Sequence, residues 1–338
     1  MEEKLKIYVP EGVQRILMKD MELFEFYKKD GTLNRNDFYN TLIVNYYETY
    51  QRHNEVLFTK IRKVLAEDVP KREVEDLSYR ILQLSEDSSE RLDSGRKDVT
   101  ISIKPTKNSS SIFRFIEDTL IKNSTLSRYF RDLFASYSLL PQDKRERIIF
   151  KENFEALEKA IARHRKVYFQ TAANETAHVA SPYVIADSKE ELFNYLLCEY
   201  RNTPYSFRIS RMKKVIVLEE ASSIKEETKH YLEKMKKNGP QFAYDSRRDT
   251  SLIKVRFTKR GEEMYKKIYL HRPAAVAKEG NVYLFECSAG QAYQYFSRFS
   301  RNAVILEPES LYEDMKKFYG MGVRAYQAEE KEKLPQEL

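Results

Sequence analysis

The amino-acid sequence predicts an α+β protein made of three parts that follow one another along the chain. A strand followed by two amphipathic helices occurs twice in the first part, a run of strands follows one helix in the second, and strands alternate with helices in the third. A chain of 338 residues is long enough for two or three domains, each with its own core. We therefore expect domains at 1–150, 151–221 and 251–325, with a linker at 222–250.

The N-terminal part contains an internal repeat. Apolar and polar residues alternate between Leu5 and Val9, which predicts a half-buried strand that Pro10 ends. Two helices, each with one apolar face, are predicted to follow, and the same order begins again at Val99. The segment 57–95 between the copies is acidic and mostly helical in pattern, so we expect it to connect them.

The repeated plan resembles the ribbon-helix-helix fold of bacterial repressors, in which two strands pair as an antiparallel ribbon that enters the major groove. Since both copies lie in one chain, the resemblance implies a pseudo-dimer within one protomer. The start of the second helix recurs as Thr32-Leu33-Asn34-Arg35 and Thr125-Leu126-Ser127-Arg128, and N–H groups of a first helical turn favour phosphate. The candidate nucleic-acid contacts of this part are Lys6, Tyr8, Lys104, Arg35 and Arg128. A scaffold that keeps the fold without binding nucleic acid is the alternative.

The central part is predicted to hold one helix at 152–162 and about five strands after it. Its motifs follow in the order Phe169, Pro182-Tyr183-Val184-Ile185, Asn194-Tyr195-Leu196-Leu197 and Phe207-Arg208-Ile209-Ser210-Arg211-Met212. This order and spacing resemble a WYL domain, except that Asn194 stands where the family has its name-giving Trp. The resemblance implies an Sm-like small β-barrel.

In the WYL family, basic and aromatic side chains of the barrel form a pocket for nucleic acid or a nucleotide-like effector. Arginine binds phosphate with two parallel hydrogen bonds, and tyrosine rings stack on unpaired bases. Carried over to this chain, the resemblance implies a pocket of Tyr183, Tyr195, Arg208 and Arg211, with His178 and Arg201 at its rim. A core position for Tyr195 and surface salt bridges for the two arginines are the alternatives.

The C-terminal part is predicted to have the order βαββαβα, which suggests a ferredoxin-like sandwich. The predicted elements are strand 252–257, helix 261–267, strands 268–271 and 282–287, helix 289–299, strand 304–306 and helix 308–319. The segments Tyr295–Phe299 and Ala303–Pro308 resemble the extension that follows WYL domains in the family. That resemblance implies a homodimer formed through the C-terminal domain.

Composition favours a nucleic-acid partner over an enzyme. The net charge is +7, and the excess of Lys and Arg lies after residue 95. The two cysteines and five histidines show no spacing typical of a disulfide framework or a metal site, and we find no nucleophile or dinucleotide motif. We therefore expect no catalytic residue, cofactor or metal. The sequence also shows no apolar run of membrane-spanning length and no leader peptide, so we expect a cytoplasmic protein.

The whole order of parts resembles the WYL-domain accessory proteins of RNA-targeting type VI-D CRISPR systems. This resemblance implies a non-enzymatic regulator that binds single-stranded RNA and stimulates an RNA-guided CRISPR ribonuclease as its partner. Two alternatives remain open. The first is a ribbon-helix-helix transcriptional regulator that binds duplex DNA and senses a ligand through its WYL domain. The second is a scaffold that binds only other proteins.

Overall fold

The computed structural model describes residues 4–86, 98–121, 125–171, 176–244, 249 and 252–333. The chain divides into two compact units, 1–154 and 155–338. Helices combine with three sheets in which every described strand pair is antiparallel, so the predicted α+β class is confirmed. Within the described residues, none of the helices combines the length and the apolar character that crossing a membrane requires.

The first unit is a two-stranded ribbon surrounded by helices. Its elements are β1 (Leu5–Val9), α1 (Glu11–Leu23), α2 (Arg35–Asp68), α3 (Lys71–Glu86), β2 (Val99–Ile103), α4 (Ser110–Phe115), a π-helical turn (Ile116–Leu120), α5 (Leu126–Ser138) and α6 (Gln142–Ile149). Strands β1 and β2 pair antiparallel within the chain, with Ile7 opposite Ile101. Both isoleucines lie in the core, whereas the intervening residues of both strands are exposed, because side chains alternate across a strand.

Helix α2 extends well beyond the core around the ribbon. We expected a second helix of ordinary length and a separate connector at 57–95, but α2 continues without a break to Asp68. No Gly or Pro interrupts it before Pro70, so nothing in the chain stops the helix earlier. Helix α3 then packs back against it. The last residues of the predicted connector, 87–95, lie outside the described ranges.

A charged pair lies inside the core of the first unit. Asp20, on the buried face of α1, is 0% exposed. Its carboxylate accepts hydrogen bonds from Arg145 Nε at 2.6 Å, from Arg145 Nη2 at 2.9 Å and from Tyr137 Oη at 2.8 Å. The charged pair joins α1 to α6, and the hydrogen bond from Tyr137 joins α1 to α5.

The second unit contains two sheets. Its elements are β3 (Arg165–Thr171), β4 (Ala177–Asp187), β5 (Asn194–Tyr200), β6 (Thr203–Arg208), β7 (Met212–Ala221), α8 (Glu226–Asn238), β8 (Ile253–Phe257), α9 (Lys259–Lys267), β9 (Ala275–Glu279), β10 (Val282–Phe285), α10 (Ala289–Phe296), β11 (Ala303–Glu307) and α11 (Glu309–Lys333), preceded by α7 (Lys151–Ala162) at the boundary between the units. The strand order of the first sheet is β6-β5-β4-β3-β7.

Helix α8 packs against the five-stranded sheet. We predicted a linker at 222–250, but this segment contains α8, whose Tyr231, Leu232 and Met235 join a core cluster with Ala186 and Leu197 of the strands. The charged residues of the helix lie on its outer face, and the three apolar residues follow helical spacing. The segment is therefore part of the fold and not a spacer.

The second sheet has the strand order β11-β8-β10-β9. The predicted strand at 268–271 is wrong, because these residues form a turn and the strand lies at Ala275–Glu279. Strand β9 is at the edge of the sheet and all its residues are exposed, so it lacks the alternation that would have predicted it. Helix α11 also continues to Lys333, well past the predicted end at 319.

Candidate nucleic-acid interface

A tight hairpin exposes the end of strands β5 and β6. Arg201 and Asn202 form its two-residue turn, with φ angles of 52° and 61°. A two-residue turn with positive φ at both positions matches the right-handed twist of paired strands. Asn tolerates this backbone region, whereas Arg rarely adopts it. The turn fixes Arg201 at the tip of the hairpin, next to Tyr200.

Aromatic rings cluster at this hairpin end of the sheet. The His178 ring stacks on Phe169, with 5.2 Å between centroids and 23° between planes. Tyr200 and Phe207 approach the same histidine, at centroid distances of 5.3 and 5.0 Å. Tyr205 lies 4.5 Å from Phe207 and is 41% exposed. The cluster, which we call the aromatic platform, therefore has a buried base and an exposed tyrosine on top.

A cation, Arg201, lies beside the platform, and the histidine of the platform favours its neutral form. Arg201 Cζ lies 5.1 Å from the centre of the Tyr200 ring. Burial lowers the pKa of His178, and the positive charge of Arg201 lowers it further. His178 Nε2 lies 3.1 Å from Thr171 Oγ1, and its buried Nδ1 has no hydrogen-bond partner among the described residues. At neutral pH the platform thus offers aromatic faces for stacking and the Arg201 guanidinium for a phosphate.

Two of the predicted pocket residues lie at the opposite end of the same strands. Tyr195 pairs with Arg208 across β5 and β6. The separation from Tyr200 is five residues, or about 17 Å along a strand. Tyr195 is 8% exposed and its hydroxyl donates to Glu191. The Arg208 guanidinium lies 3.2 Å from the centre of the Phe193 ring, and Arg208 Nε donates to Ser210 Oγ at 2.8 Å.

The remaining pocket candidates are also separated. Arg211 is exposed in the short 3₁₀ turn before β7. Tyr183 lies beneath α8, where its hydroxyl donates to Glu233 Oε1 at 2.7 Å. This hydrogen bond to a carboxylate raises the pKa of Tyr183, as does partial burial. The six candidates therefore do not form one pocket, and only His178 and Arg201 belong to the aromatic platform.

The ribbon candidates lie where the alternation places them. Lys6 and Tyr8 are exposed on the outer face, and Tyr8 is 53% exposed. Arg35 is the first residue of α2, and Arg128 is in the first turn of α5. Thr125 Oγ1 accepts from the Arg128 backbone N–H, whereas Asn34 makes no such cap at α2. Lys104 follows the last residue of β2 and is exposed.

Sequence reasoning missed the exposed part of the platform, Tyr200 and Tyr205. The available signal was a pair of aromatic-rich strands joined by Arg201-Asn202, because Asn is favoured in two-residue hairpin turns. Period-two spacing of Tyr205 and Phe207 then places both rings on one face of β6. The resemblance to a WYL domain predicted Tyr183 and Tyr195 instead, and both are held by hydrogen bonds to acidic side chains.

The chain is thus an α+β protein with an intrachain ribbon, a five-stranded sheet that carries an aromatic platform, and a second antiparallel sheet. No family model matches it, and no curated protein does. Among solved structures it is similar to one described as a CRISPR Cas-related protein, with 19% sequence identity, a TM-score of 0.65, and coverage of 97% of this chain and 95% of that one. The similarity shows a shared fold over nearly the whole chain.

A second solved structure, the proteasome accessory factor B/C of Arthrobacter aurescens, has 14% identity and a TM-score of 0.26. The alignment covers 96% of this chain and 50% of the accessory factor. A score this low supports no conclusion about the fold.

Proposed function

We propose that this protein is a cytoplasmic, non-enzymatic regulator that binds single-stranded RNA and stimulates an RNA-guided CRISPR ribonuclease. The observation that carries the proposal is the aromatic platform, where Tyr200 and Tyr205 lie beside the Arg201 guanidinium. Unpaired bases stack on exposed aromatic rings, and a neighbouring arginine binds the phosphate. Duplex bases are already stacked on one another and cannot use such a surface.

Three features of the fold support finer assignments. The intrachain pairing of β1 with β2 suits a tandem ribbon-helix-helix, with both copies in one protomer. Five bent strands that follow α7, with register shifts in β3 and β4, suit an Sm-like WYL barrel. The order β11-β8-β10-β9, with every neighbouring pair antiparallel, suits a ferredoxin-like sandwich.

The regulatory part of the proposal draws on the likeness to a CRISPR Cas-related protein over nearly the whole chain. The test is cleavage of a target RNA by a type VI-D effector and its guide, with and without this protein. We expect the wild-type protein to raise the initial cleavage rate above that of the effector and guide alone. The variant Tyr200→Ala/Tyr205→Ala should leave the rate of the effector and guide unchanged. Tyr269→Ala is the matched control, since Tyr269 is 77% exposed in another part of the unit. An unchanged rate with wild-type protein would contradict the regulatory role.

We also propose a homodimer formed through α11. Residues 321–329, in the second half of this helix, are all exposed, and they include the apolar side chains of Met321, Val323 and Tyr326, which are 56, 57 and 77% exposed. Gly320 and Gly322 flank Met321 in the middle of the helix, where each glycine costs about 1 kcal/mol relative to alanine. A Cβ at either position would meet no atom of the described residues closer than 3.8 Å, so the fold of one chain does not explain the glycines, whereas close approach of a second helix would.

The second candidate function is binding of duplex DNA by the ribbon. The observation that favours it is the exposed outer face of β1 and β2, which has the width of a ribbon that enters a major groove. Titration of labelled single-stranded RNA, single-stranded DNA and duplex DNA at one fixed salt concentration separates the two candidates. Tight binding of single-stranded RNA without strong sequence preference supports the RNA proposal. A preference for duplex DNA would contradict the RNA proposal and favour a transcriptional regulator that binds duplex DNA through the ribbon.

A further inference from the structure

Two grooves lie at opposite ends of the ribbon. One lies beside the first turn of α2 and the other beside the first turn of α5, the second helices of the two repeat copies. The larger, of about 720 Å³, lies beside the start of α2, and we call it the basic groove. Its cations are Lys4, Lys28, Arg35 and Lys104. The smaller, of about 350 Å³, lies beside the start of α5, and we call it the paired groove. It is lined by Tyr8, Arg128, Arg131 and Asp132, among others.

The two grooves differ in how far their positive charge is neutralised. None of the four cations of the basic groove forms an ion pair with a described residue, and no acidic side chain lines that groove. Asp30, which acts electrostatically on Lys28, accepts two hydrogen bonds from Thr32. In the paired groove, by contrast, Arg128 lies 3.9 Å from Asp132, and Arg131 pairs with Asp98. Acidic side chains therefore neutralise the cations at the paired-groove end of the ribbon, but not those at the basic-groove end.

The difference arises from the side chains that anchor the ribbon to each helix. At the basic groove the anchors are neutral amides. Asn36 Nδ2 donates to the Lys104 carbonyl at 3.1 Å, Asn36 Oδ1 accepts from Lys104 N at 2.8 Å, and Asn40 Nδ2 donates to the same carbonyl at 3.1 Å. At the paired groove Ser127 Oγ donates to the Lys6 carbonyl at 2.9 Å, and a cation is a second anchor, because Arg131 Nη1 donates to the Tyr8 carbonyl at 2.9 Å. Arg131 is thus engaged in holding the ribbon, whereas none of the four cations of the basic groove is held by an acidic side chain of the described residues.

We propose that the basic groove is a second nucleic-acid site, separate from the aromatic platform, which binds the phosphate backbone of a single strand. A ribbon that grips a duplex must contact phosphates on both sides of the major groove. A ribbon whose cations without a described ion-pair partner gather at one end can follow one strand. These four cations, with the Ser102 hydroxyl beside them, provide charge and hydrogen-bond donors for consecutive phosphates without reading bases.

The test is the salt dependence of binding to fluorescein-labelled oligouridylate, measured by fluorescence anisotropy with the full-length protein. The variant is Lys28→Gln/Arg35→Gln/Lys104→Gln, which leaves the Asn36 and Asn40 anchors in place. The matched control, Lys60→Gln/Arg62→Gln/Lys63→Gln, removes the same charge from the exposed face of α2. Equal urea midpoints of the two variants establish that both retain the fold.

Each phosphate contact with a single strand contributes about 0.7 to the slope of log affinity against log salt. Loss of three contacts should therefore flatten the slope by about 2 and weaken binding at about 0.1 M salt by roughly a hundredfold. We expect the control to keep a slope close to that of the wild type. An unchanged slope in the groove variant, or an equal loss in the control, would overturn the proposal. A larger loss for duplex than for single strand would also overturn it.

This inference can fail separately from the proposed function. A flattened slope in the groove variant, with wild-type affinity in Tyr200→Ala/Tyr205→Ala, would support binding at the basic groove and contradict binding at the aromatic platform. A wild-type slope in the groove variant, with weak binding by the tyrosine variant, would support binding at the platform and contradict binding at the basic groove. A wild-type protein that binds no single strand would contradict both.

Discussion

Replacement of Asp20 by alanine should destabilise the first unit more than any exposed change on the same helix. The substitution leaves the Arg145 guanidinium, whose side chain is only 10% exposed, without its carboxylate partner, and it leaves the buried Tyr137 hydroxyl without its acceptor. Breaking a buried pair by removing one partner costs about 3–5 kcal/mol, because an uncompensated charge stays in the core. For a unit of this size, about 2–4 °C per kcal/mol gives a fall in Tm of about 6–20 °C.

Differential scanning calorimetry of the full chain measures this effect, since the two units should give separable transitions. Glu22→Gln is the control, as Glu22 is an exposed acid on α1, and we expect it to change the unfolding free energy by less than about 0.5 kcal/mol. The triple variant Asp20→Leu/Tyr137→Phe/Arg145→Met should recover most of the loss, because it replaces the buried pair and the hydroxyl bonded to it by apolar groups and leaves none of the three polar groups without a partner. An Asp20→Ala protein as stable as Glu22→Gln would refute the assigned role of the pair.

Three further predictions concern the second unit. Since the folded-state pKa of His178 is lowered, the unfolded chain binds the proton more readily, so stability should fall as pH drops below about 6.5; urea midpoints at pH 7.5 and 5.5 should differ less in His178→Gln, and an equal difference would count against this assignment. If the proposed homodimer forms through α11, Val323→Glu should be a monomer in sedimentation equilibrium where the wild type is a dimer, and a persistent dimer would mean that α11 is not the interface. Gly261→Ala would put a Cβ 2.0 Å from the Asn302 carbonyl oxygen, so it should lower the unfolding free energy by about 1–3 kcal/mol or more, measured by urea titration.

The elements that could be predicted are those whose buried face follows a simple period. Residues of β1 and β2 alternate between core and solvent, and the strands around Phe169 and Leu196 are apolar enough to stand out. Strand β9 could not be predicted because none of its residues is buried, so its position depends on hydrogen bonds to β10 alone. The segment that contains α8 was predicted to be a linker because many of its residues are charged, although three apolar residues pack the helix against the sheet.

The candidate site was harder to predict, since a sequence motif identifies residues but does not show which end of a strand they occupy or what they pack against. Tyr195 and Tyr200 lie on one strand, yet one is buried against Glu191 and the other contributes to the platform. Charge at the ribbon was hidden for a similar reason. Arg131 and Asp98 are separated by 33 residues, so only the folded chain shows that the paired groove is neutralised.

The most direct test of the central claim is the affinity of single-stranded RNA for Tyr205→Ala and Tyr200→Ala, compared with Tyr269→Ala. Stacking of one base on an aromatic ring is worth about 1–3 kcal/mol, so each platform variant should raise the Kd by about five- to 150-fold. Tyr269→Ala should bind as the wild type does, because that exposed tyrosine lies outside the platform. Equal affinities for all three variants and the wild type would contradict RNA binding at the aromatic platform.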